Sequence, residues 1–192
     1  MTKVTSLLKT IKTKVMDRNG SLPHPGLFHY EFNEHGAQSR IHLRINPDGN
    51  GLLLVNASRI IHLNPTAALI AYFILQQIDR DRAIRYITKA YKVPQAQVFT
   101  DYTQTADKIN ELIKPNGACP IHDLDVDILP PFSSKPSAPY RMDLAVTYRC
   151  NNDCAHCYNA RSRDFPELST SDWFSILDKV WDIGIPHVVF TG

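Results

Sequence analysis

The stretch Asp143-Leu144-Ala145-Val146-Thr147-Tyr148-Arg149-Cys150-Asn151-Asn152-Asp153-Cys154-Ala155-His156-Cys157-Tyr158 decides how this chain is read. Its first five residues form a short apolar run suited to a strand. Three cysteines then fall within eight residues, spaced C-x3-C-x2-C. Further on, Ser169-Thr170-Ser171-Asp172 has the pattern of a capping-box start. Trp173, Ile176, Leu177, Val180 and Trp181 recur at i, i+3, i+4, i+7 and i+8, which predicts a helix. Gly184 ends that helix, and His187–Phe190 is a second short apolar strand. Residues 141–192 therefore read as one β-α-β unit, with the cysteines on the loop between its first strand and its helix.

Three thiolates from one loop suit a soft metal centre. A tetrahedral zinc would take a fourth protein ligand, for which Cys119 or His156 are candidates. Zinc knuckles prefer C-x2-C pairs, and no matching pair follows Cys157, which weighs against zinc. A four-iron cluster normally takes four cysteines. Three leave one iron open to a non-protein ligand, as a catalytic cluster requires. Cys119, in Gly117-Ala118-Cys119-Pro120, reads as a free surface thiol. Among the eight histidines, only His156 has a positional argument. His42 and His62 lie on strand patterns and read as ordinary half-buried residues.

Upstream, residues 114–140 hold six of the chain's 13 prolines. Proline removes backbone donors and favours extended backbone, so this stretch reads as a semi-rigid linker and domain boundary. Before it, residues 21–113 read as strands followed by three helices. Leu27–Phe32 and Ile41–Ile45 alternate in character, with Glu34-His35-Gly36 as a turn between them. Pro47-Asp48-Gly49-Asn50 is a turn signal leading into Gly51–Val55, and Arg59–Leu63 follows Asn56-Ala57-Ser58. Asn64-Pro65 is a helix entry. The helix it opens is apolar on most sides, as a buried one is. A second helix starts near Asp81 and a third near Pro94. Residues 1–20 read as a basic amphipathic helix, with Val4, Leu7, Leu8, Ile11 and Val15 on one stripe. That stripe fits docking on the body or a partner more than contact with a membrane surface.

Composition narrows the classes. The 192 residues carry 21 Lys+Arg and 19 Asp+Glu, a net charge of +2, which argues against binding nucleic acid through bulk positive charge. The third helix has Asp101, Asp107 and Glu111 against Lys108, a poor face for phosphates. The 43% hydrophobic content is that of a globular chain. No apolar run reaches the ~20 residues of a membrane span. Lysines interrupt the first apolar stretches, so a signal peptide is not expected and a cytoplasmic, reducing setting is.

The text Thr147–Tyr158, set between a strand and a helix, resembles the radical S-adenosylmethionine (SAM) family. It looks like the branch that modifies peptides and often carries a C-terminal auxiliary-cluster domain. The resemblance implies that Cys150, Cys154 and Cys157 hold a [4Fe–4S] cluster whose fourth iron is chelated by the amino and carboxylate groups of SAM. In that family an electron donor such as flavodoxin or ferredoxin reduces the cluster, which passes the electron to the sulfonium of SAM so that a C–S bond breaks. A 5′-deoxyadenosyl radical then abstracts hydrogen from the substrate. His156 would pack near the adenine. Phe190-Thr191-Gly192 looks like the opening of the family's G-G-E-P-like motif, which receives the amino group of SAM, and Gly192 is the residue carried over.

Residues 21–113 resemble the PqqD-like peptide-recognition fold, a winged-helix-like α+β unit that binds the leader of a precursor peptide as an added strand. The expected fold is α/β overall. It joins that α+β domain to the first β-α-β unit of an incomplete radical SAM (β/α) barrel. Since parallel sheets are normally larger and covered on both faces, the chain reads as an N-terminal fragment of such an enzyme. A second reading stands beside it, in which the chain is a non-catalytic leader-binding module with an inert barrel piece. In a third, the upstream unit is only a structural cap on its own barrel.

Overall fold

The computed structural model describes residues 23–34, 37–114, 130, 136–157 and 166–192. The helix expected over residues 1–20, the His35-Gly36 turn, Cys119 and most of the proline-bearing stretch lie outside the described residues. The described residues form a mixed α/β arrangement, with a four-stranded antiparallel sheet, a two-stranded parallel sheet and four helices. The chain divides into two compact units, Met1–Lys135 and Pro136–Gly192.

In the first unit, β1 (Gly26–Glu34), β2 (Ala37–Ile45), β3 (Gly51–Val55) and β4 (Arg59–Leu63) form a meander in the order β1-β2-β3-β4. Period-two alternation sorts the side chains. Phe28, Tyr30 and Phe32 from β1, Ile41, Leu43 and Ile45 from β2, and Leu53 and Val55 from β3 share one buried cluster. The register makes their contacts specific, with Tyr30 opposite Ile41, Ile41 opposite Val55 and Leu43 opposite Leu53. The first two strands are longer than their apolar alternation suggests, because the β1–β2 ladder continues through polar pairs such as Asn33 with Gln38. Leu52 and Leu54 on the opposite face of β3 are also buried, so this interior strand is apolar on both sides.

The connections follow local chemistry. In the β2–β3 turn, Asp48 accepts the Asn50 amide at 2.9 Å and Gly49 takes φ of 85°. In the β3–β4 turn, Asn56 and Ala57 have φ of 51° and 56°, and Ser58 donates its amide to the Val55 carbonyl. Two consecutive positive φ values give the type I′ geometry that matches strand twist, for which asparagine is favoured. The Asn56 side chain is used within the fold. Its Oδ1 accepts the Arg40 amide at 2.8 Å, and its Nδ2 donates to the Ser39 hydroxyl.

Two helices contribute to the sheet cluster, and a third packs on those two. α1 (Pro65–Leu75) is capped by Asn64, which accepts the Ala67 amide at 2.9 Å. It is apolar on several sides because it is covered on several sides. Ala71 and Leu75 join the sheet cluster, while Leu69, Ile70 and Phe73 join a second cluster with Ala83, Ile84, Ile87, Val98 and Tyr102. A Cβ at Gly51 would stand 2.7 Å from the Ala68 Cβ, so α1 lies on β3 at a distance that only glycine permits. α2 (Arg80–Tyr91) begins after Asp79, which accepts the Arg82 amide, and α3 (Gln95–Ile113) begins after Pro94.

In the second unit, β5 (Arg141–Ala145) and β6 (His187–Thr191) pair in parallel, Met142 beside Val188 and Leu144 beside Phe190. α4 (Thr170–Ile183) connects them. Its capping box is complete, since Ser169 Oγ accepts the Asp172 amide and the Asp172 carboxylate accepts the Ser169 amide. Gly184 ends it at φ of 86°. Val180 packs with Ala138, Ile185, Met142, Ile176 and Val188. The five-residue apolar stripe on α4 is only partly used, and Trp181 is exposed together with Phe174 and Phe190. No described helix is long and apolar enough to cross a membrane.

Candidate metal-binding loop

Parallel pairing fixes where the cysteine loop begins. Just beyond β5, the Val146 amide donates to the carbonyl of Thr191, the last residue of β6, at 2.8 Å, so the two segments stay together to the base of the loop. Gly192 is held against Thr147 there. A Cβ at Gly192 would meet Thr147 Cγ2 at 2.6 Å and the Thr147 carbonyl at 3.1 Å. Both the cysteines and Gly192 thus lie at the carboxyl end of the parallel strands, where α/β sheets place their ligands.

The loop has its own hydrogen bonds. The Asn152 amide donates to Cys150 Sγ at 3.4 Å. The Cys157 amide donates to the Cys154 carbonyl at 3.0 Å, closing a β-turn over Ala155-His156. A turn of this kind keeps its first and last Cα atoms within about 7 Å, so it draws Cys154 and Cys157 together. Cys150 and Cys154 are exposed, Cys157 is half-buried, and all three are free thiols. His156 is exposed at the tip of the turn.

The base of the loop is tied to the segment that enters α4. Thr147 Oγ1 donates to Glu167 Oε1 at 2.5 Å and accepts the Arg149 amide at 3.0 Å. Arg149 Nε donates to Glu167 Oε1 at 2.7 Å, and its terminal nitrogen reaches the other carboxylate oxygen. The Arg149 guanidinium, helped by the Thr147 hydroxyl, holds the Glu167 carboxyl down at about 2. Eighteen positions separate Arg149 from Glu167. No sequence period joins them, so reading the sequence alone missed Glu167.

The donor chemistry fits a soft metal: three sulfurs on one solvent-accessible loop, two of them on a shared turn. Among the described residues, no group of three or more His, Cys, Asp and Glu side chains stands arranged to hold a metal ion. The structure therefore brings Cys154 and Cys157 onto one turn and Cys150 onto the same loop, without gathering the three sulfurs about a point. Histidine placement differs from the sequence reading. His42 is half-buried, but His62 is exposed, because β4 turns it away from the core face that holds Ile61. His29 lies directly across from His42, with Nδ1 and Nε2 2.9 Å apart, a pairing that strand register alone decides.

No family model, curated protein or solved structure matches this chain.

Proposed function

We propose that the chain carries the cluster loop of a radical SAM enzyme acting on a peptide, with Cys150, Cys154 and Cys157 holding a [4Fe–4S] cluster. The observation that carries this reading is one loop with three cysteines at the carboxyl end of β5, beside Gly192 at the same end of β6. When bound, such a cluster supplies the electron for reductive cleavage of SAM. The protein's part is to hold and shield. The Cys154–Cys157 turn puts two of the ligand residues on one turn, and the third is Cys150, whose Sγ already accepts an amide N–H. Hydrogen bonds to sulfur are among the factors that set a cluster's potential. Closing the three ligands about iron reshapes an exposed loop, and the metal–ligand bonds supply the free energy for it. On this reading His156, at the tip of the turn, and Gly192, at the loop base beside Thr147, would meet SAM.

On this reading the second unit is the first β-α-β of a (β/α) barrel, and the first unit is a PqqD-like, winged-helix-like recognition domain for a precursor leader. The meander supports the second assignment by placing β1 and β4 at the edges of the described sheet, where an extended peptide can add as a strand. Flavodoxin or ferredoxin would be the electron donor.

Anaerobic reconstitution of the full chain with ferrous iron and sulfide tests the assignment. The expected product is brown and holds about four irons and four sulfides per chain. Cys154→Ala should lose it and Cys119→Ala should keep it. Stoichiometric zinc without sulfide overturns the proposal.

A further inference from the structure

We propose that Glu167 is a positioning residue for the cysteine loop: bridging Thr147 and Arg149, it holds the loop base in the shape that binds metal. This rests on the metal-thiolate reading above and adds a residue to it that lies ten positions beyond Cys157.

Cys150 follows Arg149 directly, so the direction in which the first ligand leaves β5 is set by how residues 147–149 are held. Four hydrogen bonds hold them. The Thr147 hydroxyl bridges the Arg149 amide and Glu167 Oε1, and the guanidinium takes both carboxylate oxygens. A two-pronged arginine–carboxylate pair fixes orientation as well as distance. The carboxylate is that of Glu167, two positions before Ser169, which caps α4, so the anchor is itself next to a regular element. Val146 is tied on the other side to Thr191, and Gly192 abuts Thr147. The loop base is thus held from two sides, while Cys150 and Cys154 remain exposed. As a surface ion pair the bridge contributes little to global stability. Its effect falls on the loop, because ordering a flexible segment is a cost that metal binding otherwise has to meet.

Positioning and simple field effects predict different outcomes. If only charge mattered, removing the carboxylate and removing the guanidinium would shift metal affinity in opposite directions. If the bridge positions the loop, both changes weaken binding, and the double variant is no worse than either single one.

The test titrates the full, reduced chain with cobalt(II) under argon and follows thiolate-to-cobalt absorption. Glu167→Gln and Arg149→Met should each weaken cobalt binding by about tenfold, the lower end of what outer partners of metal ligands cost. Glu167→Gln/Arg149→Met together should match the single variants. Thr147→Val should weaken binding and Thr147→Ser should restore it. In the metal-free chain, amide hydrogen exchange at Arg149 should quicken in Glu167→Gln while exchange in β1–β4 stays unchanged, which separates a local role from general unfolding. Parent-like cobalt affinity in Glu167→Gln and Arg149→Met, or opposite shifts in the two, overturns the inference and leaves the metal reading standing. A parent chain with no thiolate–cobalt band overturns the metal reading itself, and this inference with it.

Discussion

Ser39 donates its buried hydroxyl to the carbonyl of Ile113, 74 positions away, at 2.7 Å. The last carbonyls of a helix have no partner within it, and in α3 the sheet provides them. Arg59 does the same for the preceding carbonyl, that of Leu112, at 2.7 Å. Two residues from β2 and β4 thereby finish a helix that no glycine or side chain of its own terminates, and they fix α3 over the sheet.

Ser39→Ala should therefore cost about 1–3 kcal/mol, because a buried carbonyl loses its donor. Urea unfolding of the full chain should show a lower midpoint with an unchanged slope. A midpoint equal to that of the parent would mean that another group satisfies Ile113.

Ala57 occupies left-handed backbone at φ of 56°, where a Cβ is strained by about 1–2 kcal/mol. Ala57→Gly should stabilise the chain by about 1 kcal/mol once glycine's greater freedom in the unfolded chain is subtracted. Differential scanning calorimetry should show a rise in the melting temperature of the first unit.

Gly51→Ala should act in the opposite sense. The new methyl would stand 2.7 Å from the Ala68 Cβ, with the Arg44 carbonyl and Leu63 Cβ each at 3.4 Å, so α1 must shift or β3 must bend. Overpacking of this kind costs about 1–3 kcal/mol. Gly51→Ala/Ala68→Gly should recover part of the loss, and denaturation of the two variants side by side would measure the coupling.

Alkaline pH should unfold the first unit. Burial pushes the Tyr30 phenol far above its ordinary value, only partly opposed by its hydrogen bond from Gln76, and it raises Tyr72 and Tyr102 as well. The folded state therefore holds these protons more tightly than the unfolded state. Their contribution to stability is complete below about pH 10, the unfolded value, and is lost as pH rises toward the higher folded values. Tyrosinate absorbance and far-UV circular dichroism should change together above that pH. Tyr30→Phe should move the alkaline midpoint upward.

Much of this architecture was legible in the amino-acid order. The alternation in β1 and β2, the Asn64-Pro65 entry to α1, the Ser169–Asp172 box and the Gly184 stop are all rules that act within a few residues, and each reappears in the structure. The C-x3-C-x2-C spacing was legible for the same reason, since three ligands on a short loop need no long-range arrangement to be noticed. The structure adds the turn that puts Cys154 and Cys157 side by side.

Tertiary contacts decided what separation in sequence conceals. Glu167 gains its role only where the entry to α4 meets the base of the cysteine loop, and His29 meets His42 only in one register. The exposure of Trp181, despite its place on an apolar helical stripe, depends on which surfaces stand near α4 and not on the stripe itself. Sequence periodicity fixes which side chains share a face, because backbone geometry repeats every two or 3.6 residues. What that face meets depends on how distant segments pack, and no local repeat encodes it.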